Sequence, residues 1–219
     1  MADIKLICGH YGCGKTNLAI NMALAAAARG SPVVLVDLDI VNPYFRSSDY
    51  RELLEKAGVQ VIAPNFSHTN LDLPSLPAAI YSVFEFAGEV IIDVGGDEVG
   101  ATALGRFSKQ IAAAGYEMLY VVNKYRALTS SAAEAAMLLR EIESACRLQA
   151  TGVVNNSHLK SETTKATILD SLAYAEETAK LLCIPLLFTT APRYLAKDLQ
   201  EIEYLYPIDV HVKTSWEDY

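Results

Sequence analysis

The sequence predicts an α/β domain built on a mostly parallel sheet with helices on both faces. Short apolar runs such as Val33-Val34-Leu35-Val36 and Val90-Ile91-Ile92 lack the in-out alternation of a half-exposed strand, so they fit strands buried on both sides. Helix-like segments alternate with these runs, as winding a parallel sheet requires. The first run, Ile4 to Cys8, feeds into Gly9-His10-Tyr11-Gly12-Cys13-Gly14-Lys15-Thr16 and then the alanine-rich run Asn17 to Ala28, giving strand, glycine-rich turn and helix in succession.

The remaining elements follow in order. Arg29-Gly30-Ser31-Pro32 stops the first helix, and Val33 to Asp37 forms the second strand. Asp37-Leu38-Asp39-Ile40-Val41-Asn42-Pro43-Tyr44 leaves it as a loop, Ser47 to Lys56 reads as a short helix closed by Gly58, and Val59 to Ala63 is the third strand. Pro64 to Pro77 is a polar, proline-bearing loop, Ser75 to Phe86 an amphipathic helix, and Val90 to Val94 a strand running into Gly95-Gly96. Then come helix Ala101 to Ala114, strand Glu117 to Asn123, helix Ser130 to Cys146 and strand Ala150 to Asn155. Helix Glu162 to Leu182, strand Ile184 to Phe188, a helical stretch Ala191 to Tyr204 and a last strand, Asp209 to Val212, complete the pattern. The stripe Leu172, Tyr174, Ala175, Ala179 and Leu182 reads as helix packing.

Bulk properties bound the function. A length of 219 residues without a linker fits one domain, 1–219. The chain is 52% hydrophobic, yet no apolar run approaches the roughly twenty residues of a membrane span. A net charge of −8 without a Lys/Arg cluster argues against nucleic acid or an anionic membrane as partner. The first strand begins almost at the N-terminus, which leaves no room for a leader and makes a cytoplasmic location the expectation. Lys213 to Tyr219 is short and acidic, unlike a basic membrane-targeting helix. Cys8, Cys13, Cys146 and Cys183 are scattered without a C-x-x-C pair, and Cys8 reads as a small core residue. His68, His158 and His211 lack metal spacing and read as satisfied surface or core histidines.

The glycine-rich turn carries the chemistry. Its spacing, G-x-x-x-x-G-K-T, wraps a polyphosphate in backbone N–H groups at the positive end of a helix, so Gly9 through Asn17, with His10, Tyr11 and Cys13 among them, are candidate nucleotide contacts. Lys15 is placed to reach the β- and γ-phosphates and Thr16 to put its hydroxyl on Mg²⁺. The metal needs carboxylates nearby, and Asp37, Asp39 and Asp93 stand at strand ends, where the alternative for any one alone is a helix cap or solvated loop residue. Cys13, close to Lys15 in an anion-binding turn, is a candidate for a reactive thiolate in the empty site.

Val33 to Asp39 following that motif, with Asp93-Val94-Gly95-Gly96 later, resembles the MinD/ParA and cobyrinic acid a,c-diamide synthase branch of P-loop ATPases, in the SIMIBI class, across most of the chain. The resemblance implies that Lys15 and Thr16 bind phosphate and Mg²⁺, that Asp37 and Asp93 hold the metal through water, and that Asp39 positions the attacking water. It further implies that the Gly96 backbone senses the γ-phosphate, that Asn155 contacts the adenine, and that a nucleotide-sandwich homodimer forms. The branch usually has a lysine after the first P-loop glycine that reaches across such a dimer; here that residue is His10. Arg46 is a candidate for replacement charge, or a solvated loop arginine. Asn123-Lys124-Tyr125-Arg126 begins like the guanine-reading N-K-x-D motif, but Arg126 accepts no hydrogen bond, which favours ATP over GTP. Asn155-Asn156 reads equally as a turn.

The function expected is a Mg²⁺-dependent ATP-binding protein, a slow ATPase acting as a nucleotide switch for a protein partner. One alternative is a phosphotransferase or ligase with an acceptor pocket built from Pro64 to Pro77 and Asn156 to Thr163. Another is a metal-insertion chaperone, which the absence of paired cysteines disfavours.

Overall fold

In the computed structural model, residues 2–39, 50–63, 78–96 and 98–212 are described. The expectations for Arg46, His68, Pro64 to Pro77, Lys213 to Tyr219 and the first residues of the helices at Ser47 and Ser75 lie outside them. Strands β1 (Asp3–Cys8), β2 (Val33–Leu38), β3 (Val59–Ile62), β4 (Glu89–Val94), β5 (Tyr116–Val122), β6 (Gly152–Asn155), β7 (Leu186–Pro192) and β8 (Leu205–Ile208) form one eight-stranded sheet. Every pairing is parallel, and the order is β3-β2-β4-β1-β5-β6-β7-β8. All six residues of β2 are buried, Asp37 included, which is the consequence of covering a parallel sheet on both faces.

Helices α1 (Lys15–Ala28) and α2 (Arg51–Lys56) cover one face, where Leu18 and Ile20 of α1 and Leu54 of α2 join Ile7, Leu35 and Ile91 in one core. Helices α3 (Glu98–Gly105), α4 (Ser108–Ala114), α5 (Ala132–Cys146) and α6 (Lys165–Leu182) cover the other, where Leu104, Ile111, Leu139 and Tyr174 meet Leu6, Val36, Ile92 and Tyr120. Reciprocal caps start the two longest of these: Ser131 with Glu134 for α5, and Thr164 with Thr167 for α6. Among the described residues no helix is long and apolar enough to cross a membrane.

Four elements depart from the sequence reading. The helix expected over Ala101 to Ala114 is two, because the carbonyl of Gly105 is taken by the Arg147 guanidinium and by the Ser108 hydroxyl at 3.0 Å, which satisfies the end of α3 without a further turn. The amphipathic segment before β4 winds as a 3₁₀ helix over Ala78–Glu85. Ala191 and Pro192 extend β7, leaving a 3₁₀ helix only at Arg193–Asp198. The last strand is Leu205–Ile208 rather than Asp209 to Val212; as the sheet's edge it tolerates Pro207, which has no N–H to offer a further neighbour.

The strand order decides what meets the glycine-rich turn. It leaves the carboxyl end of β1, whose neighbour β4 sets Asp93 opposite Ile7, while β2 on the far side sets Asp37 opposite Asp93. Three adjacent strand ends thus deliver the turn and two carboxylates to one place, where open α/β sheets bind ligands.

Candidate nucleotide-binding site

A cavity of about 300 Å³ opens over the carboxyl ends of β1, β5 and β6. Residues Tyr11 to Asn17 form its floor. Gly14, the residue before α1, has φ +92°, and its open side is filled by the Asn156 amide, so a side chain there is excluded twice over. Gly9 lies against the carbonyl of Val121, and Gly12 lies beneath the Arg126 guanidinium, with 3.6 Å from its would-be Cβ to Nε. His10 donates from Nδ1 to the Tyr11 carbonyl at 2.8 Å, while its own carbonyl accepts from Lys15 Nζ at 3.1 Å. Lys15 is thereby folded back over the turn.

The acidic side is more heavily constrained. Asp37, Asp39 and Asp93 are all buried, and Asp37 accepts from the Asp39 backbone N–H at 3.0 Å. Neither oxygen of Asp93 meets full hydrogen-bond geometry with a partner among the described residues. Burial, then the charge of Asp37, push its carboxyl far above the ordinary range; Lys15 and the nearby Thr16 hydroxyl oppose this, and Asp39 adds to it. Two buried carboxylates beside a threonine hydroxyl are a hard-oxygen donor set, which fits Mg²⁺. Among the described residues no group of three His, Cys, Asp or Glu side chains is placed to hold a cation by itself. Gly96 closes this end: a Cβ on it would fall 2.7 Å from Lys15 Nζ and 2.6 Å from the Tyr11 nitrogen.

The opposite wall holds Asn123, Arg126, Asn156, His158, Lys160 and the pair Val210 and Val212. Asn155, expected to contact the base, is fully buried and donates to Ser171 Oγ at 2.9 Å. Asn156 takes the place at the cavity, donating to the Cys13 carbonyl at 2.7 Å and accepting from Thr190 Oγ1 at 2.5 Å. The one-residue difference follows from the strand's period of two, which turns consecutive side chains to opposite sides. Asn17 also serves another purpose: its side chain accepts from the His211 and Val212 N–H groups and donates to the Asp209 carbonyl, tying the C-terminal segment to α1.

Two sulfur and histidine expectations are corrected. Cys13 is fully buried, and burial raises its thiol against the pull of Lys15, so it is not the reactive thiolate expected of an exposed anion-binding turn. His158 is neither a surface residue nor a satisfied core residue: it lines the cavity, and its Nε2 has no hydrogen-bond partner among the described residues. Sequence reasoning had Asn156 and His158 only within a candidate acceptor segment and missed Val210 and Val212; the signal for the first two was the polar run Asn155-Asn156-Ser157-His158 at the carboxyl end of a buried strand.

A glycine-rich turn between β1 and α1, facing acidic ends of β2 and β4 on an all-parallel sheet, defines a nucleotide-binding P-loop protein. Residues 7–168 match the CobQ/CobB/MinD/ParA nucleotide binding domain, and the chain belongs to that family. No curated protein matches it. Among solved structures, cell division protein FtsY from Thermotoga maritima is similar with a TM-score of 0.57 and 21% identity, covering 87% of this chain and 62% of that one. FtsY from Mycoplasma mycoides gives 0.57 and 17% over 87% and 60%. The signal recognition particle 54 kDa protein from Aeropyrum pernix, in complex with GDP, gives 0.54 and 17% over 86% and 41%. This chain thus spans about three fifths of the length of the first two, and at these identities the likeness concerns the fold.

Proposed function

We propose that the protein is a Mg²⁺-dependent ATP-binding protein, a slow ATPase whose nucleotide state is read by a protein partner. The observation that carries this reading is the convergence of Lys15, Gly96 and the Asp37–Asp93 pair at three neighbouring strand ends. Lys15 and the N–H groups of the turn bind the phosphates; Thr16, Asp37 and Asp93 hold Mg²⁺, which when bound neutralises charge on the β- and γ-oxygens. Asp39 orients the attacking water. Gly96, packed against Lys15, is the contact through which loss of the γ-phosphate moves the chain beyond β4. Arg126 at the other end favours adenine over guanine, since a guanidinium cannot accept from guanine's N–H groups. A homodimer is compatible with the family, with His10 in place of the usual lysine.

The phosphotransferase alternative is less well supported. Its acceptor segment, Asn156 to Thr163, contributes Asn156, His158 and Lys160 to the lining of the same cavity, and a neighbouring cavity that shares Lys160 is lined by Ser161, Arg193 and Tyr194. The other acceptor segment, Pro64 to Pro77, lies outside the described residues.

The test is calorimetric titration with Mg²⁺ and ATP, ADP or GTP, with phosphate release followed over hours. Lys15→Ala is expected to weaken ATP binding more than about tenfold, by loss of a charge-assisted contact. Asp39→Ala should keep binding and lose about 100-fold or more in turnover, because orienting the nucleophile matters in the transition state. Unchanged ATP affinity in Lys15→Ala rejects the site; unchanged turnover in Asp39→Ala rejects that role.

A further inference from the structure

His158 is held from every side except one. Its backbone N–H donates to the Asn156 carbonyl at 2.9 Å, and its carbonyl accepts from Asn123 Nδ2 at 3.3 Å. Its ring nitrogen Nδ1 accepts from the Lys160 backbone N–H at 3.2 Å. That contact exists because Lys160 adopts φ +54°, a left-handed conformation that costs a non-glycine residue on the order of 1 kcal/mol or more. Its loop is pinned in turn: Thr163 Oγ1 donates to the Lys160 carbonyl at 2.7 Å, and the Tyr194 hydroxyl donates to the Thr163 carbonyl at 3.1 Å.

These contacts fix the ring's chemistry. With Nδ1 accepting, the proton of the neutral imidazole sits on Nε2. Burial, then the charges of Arg126 and Lys160, push the His158 pKa down to about 4, so the ring is a neutral donor at physiological pH. Only 7% of the residue is exposed, and Nε2, 4.0 Å from where a Cβ on Gly14 would stand, has no partner among the described residues. A buried donor left unpaired costs about 1–3 kcal/mol, and here a strained neighbour maintains it. The Asn156 amide beside it makes no bond to Nε2: its nitrogen donates to the Cys13 carbonyl and its oxygen accepts from Thr190 Oγ1.

We propose that His158 is a nucleoside-recognition residue, its Nε2–H donating a hydrogen bond to an acceptor atom on the base or ribose of the bound nucleotide. This rests on the reading of the cavity as a nucleotide site. Lys15 and the N–H groups at the start of α1 take the phosphates, and the lining left over, His158 beside Gly14 and Arg126 beside Gly12 with Lys160, is assigned to the nucleoside.

The experiment compares Mg·ATP with Mg·tripolyphosphate, which keeps the phosphate charge and lacks the nucleoside, by calorimetry on the full chain. His158→Phe keeps the ring's bulk and removes both nitrogens; His158→Gln restores an N–H near the position of Nε2. The expected result is a roughly tenfold loss of ATP affinity in His158→Phe, tripolyphosphate affinity unchanged within about twofold, and recovery in His158→Gln to within about threefold of wild type. Equal losses for ATP and tripolyphosphate, no loss for either, or a loss that His158→Gln does not repair would each overturn the proposal. Wild-type protein that binds tripolyphosphate no more weakly than ATP, GTP or ADP would overturn the nucleotide reading itself, an outcome separable from the others because no variant is needed to see it.

Discussion

Asp93 is the residue at which structure and chemistry are most opposed. It sits in register with Asp37, buried, with Lys15 as the nearby cation. The folded chain without metal therefore holds the Asp93 proton more tightly than the unfolded chain does. Such a group stabilises the fold fully below the ordinary carboxylate pKa of about 3.9, and that contribution drains away as pH rises toward the raised value. His158 acts in the opposite sense: with a folded pKa of about 4 against an unfolded value of about 6.5, its share grows as pH rises between those values. Asp93→Asn isolates the first effect, because His158 titrates alike in both proteins. In EDTA the variant should gain stability over wild type by about 1 kcal/mol or more between pH 5 and pH 8, read by urea unfolding. A difference that does not change with pH would show that Asp93 is already ionised in the empty site. That Asp37, Asp39 and Asp93 belong together was legible from their places after apolar runs; that Asp93 stands directly opposite Asp37 was not, since that depends on a register between strands more than fifty residues apart in sequence.

At the level of elements, the legible parts were those whose signal is local. The apolar runs behind β1, β2 and β4 and the capped start of α5 appear in the sequence within a residue or two of their observed bounds. The C-terminal segment was not legible, because what holds it is a side-chain contact across nearly the whole chain. Asn21 donates to the Asp209 carbonyl and accepts from its N–H, each at 2.8 Å, and Asn17 takes the His211 and Val212 N–H groups at 2.8 and 3.2 Å. Two helical asparagines, four apart and so on one face, replace the strand partner that Asp209 to Val212 was expected to find. Val210 and Val212, carried by this segment, form part of the cavity wall. Asn21→Ala leaves the Asp209 N–H and carbonyl without that partner, which should cost about 1–3 kcal/mol. Faster hydrogen exchange at Asp209, His211 and Val212, with the amides of β1 and β4 unchanged, is the expected pattern; unaltered exchange at Asp209 would mean that the segment is held without Asn21.

For the whole molecule, the question is how a site that weakens the empty protein is reconciled with a stable fold. One sheet carries both cores, with α1 and α2 on one face and α3 to α6 on the other, so ligand energy gained at the carboxyl ends of β1, β2 and β4 is felt by the entire domain. A ligand that binds only the folded state at 100 times its Kd adds about 2.7 kcal/mol, which for a chain of this size raises Tm by roughly 5–11 °C. If the Asp37–Asp93 pair holds Mg²⁺ as proposed, that gain depends on metal. Nucleotide without a divalent cation brings phosphate charge to two buried carboxylates, whereas nucleotide with Mg²⁺ brings a cation that both can face. Thermal unfolding with ATP and Mg²⁺ should therefore show a single transition shifted upward within this range, and EDTA should remove most of the shift while ATP remains. Asp93→Asn, already relieved of its own repulsion, should show a smaller difference between Mg²⁺ and EDTA. A wild-type shift of the same size in both conditions would mean that the carboxylates at the ends of β2 and β4 do not serve the metal.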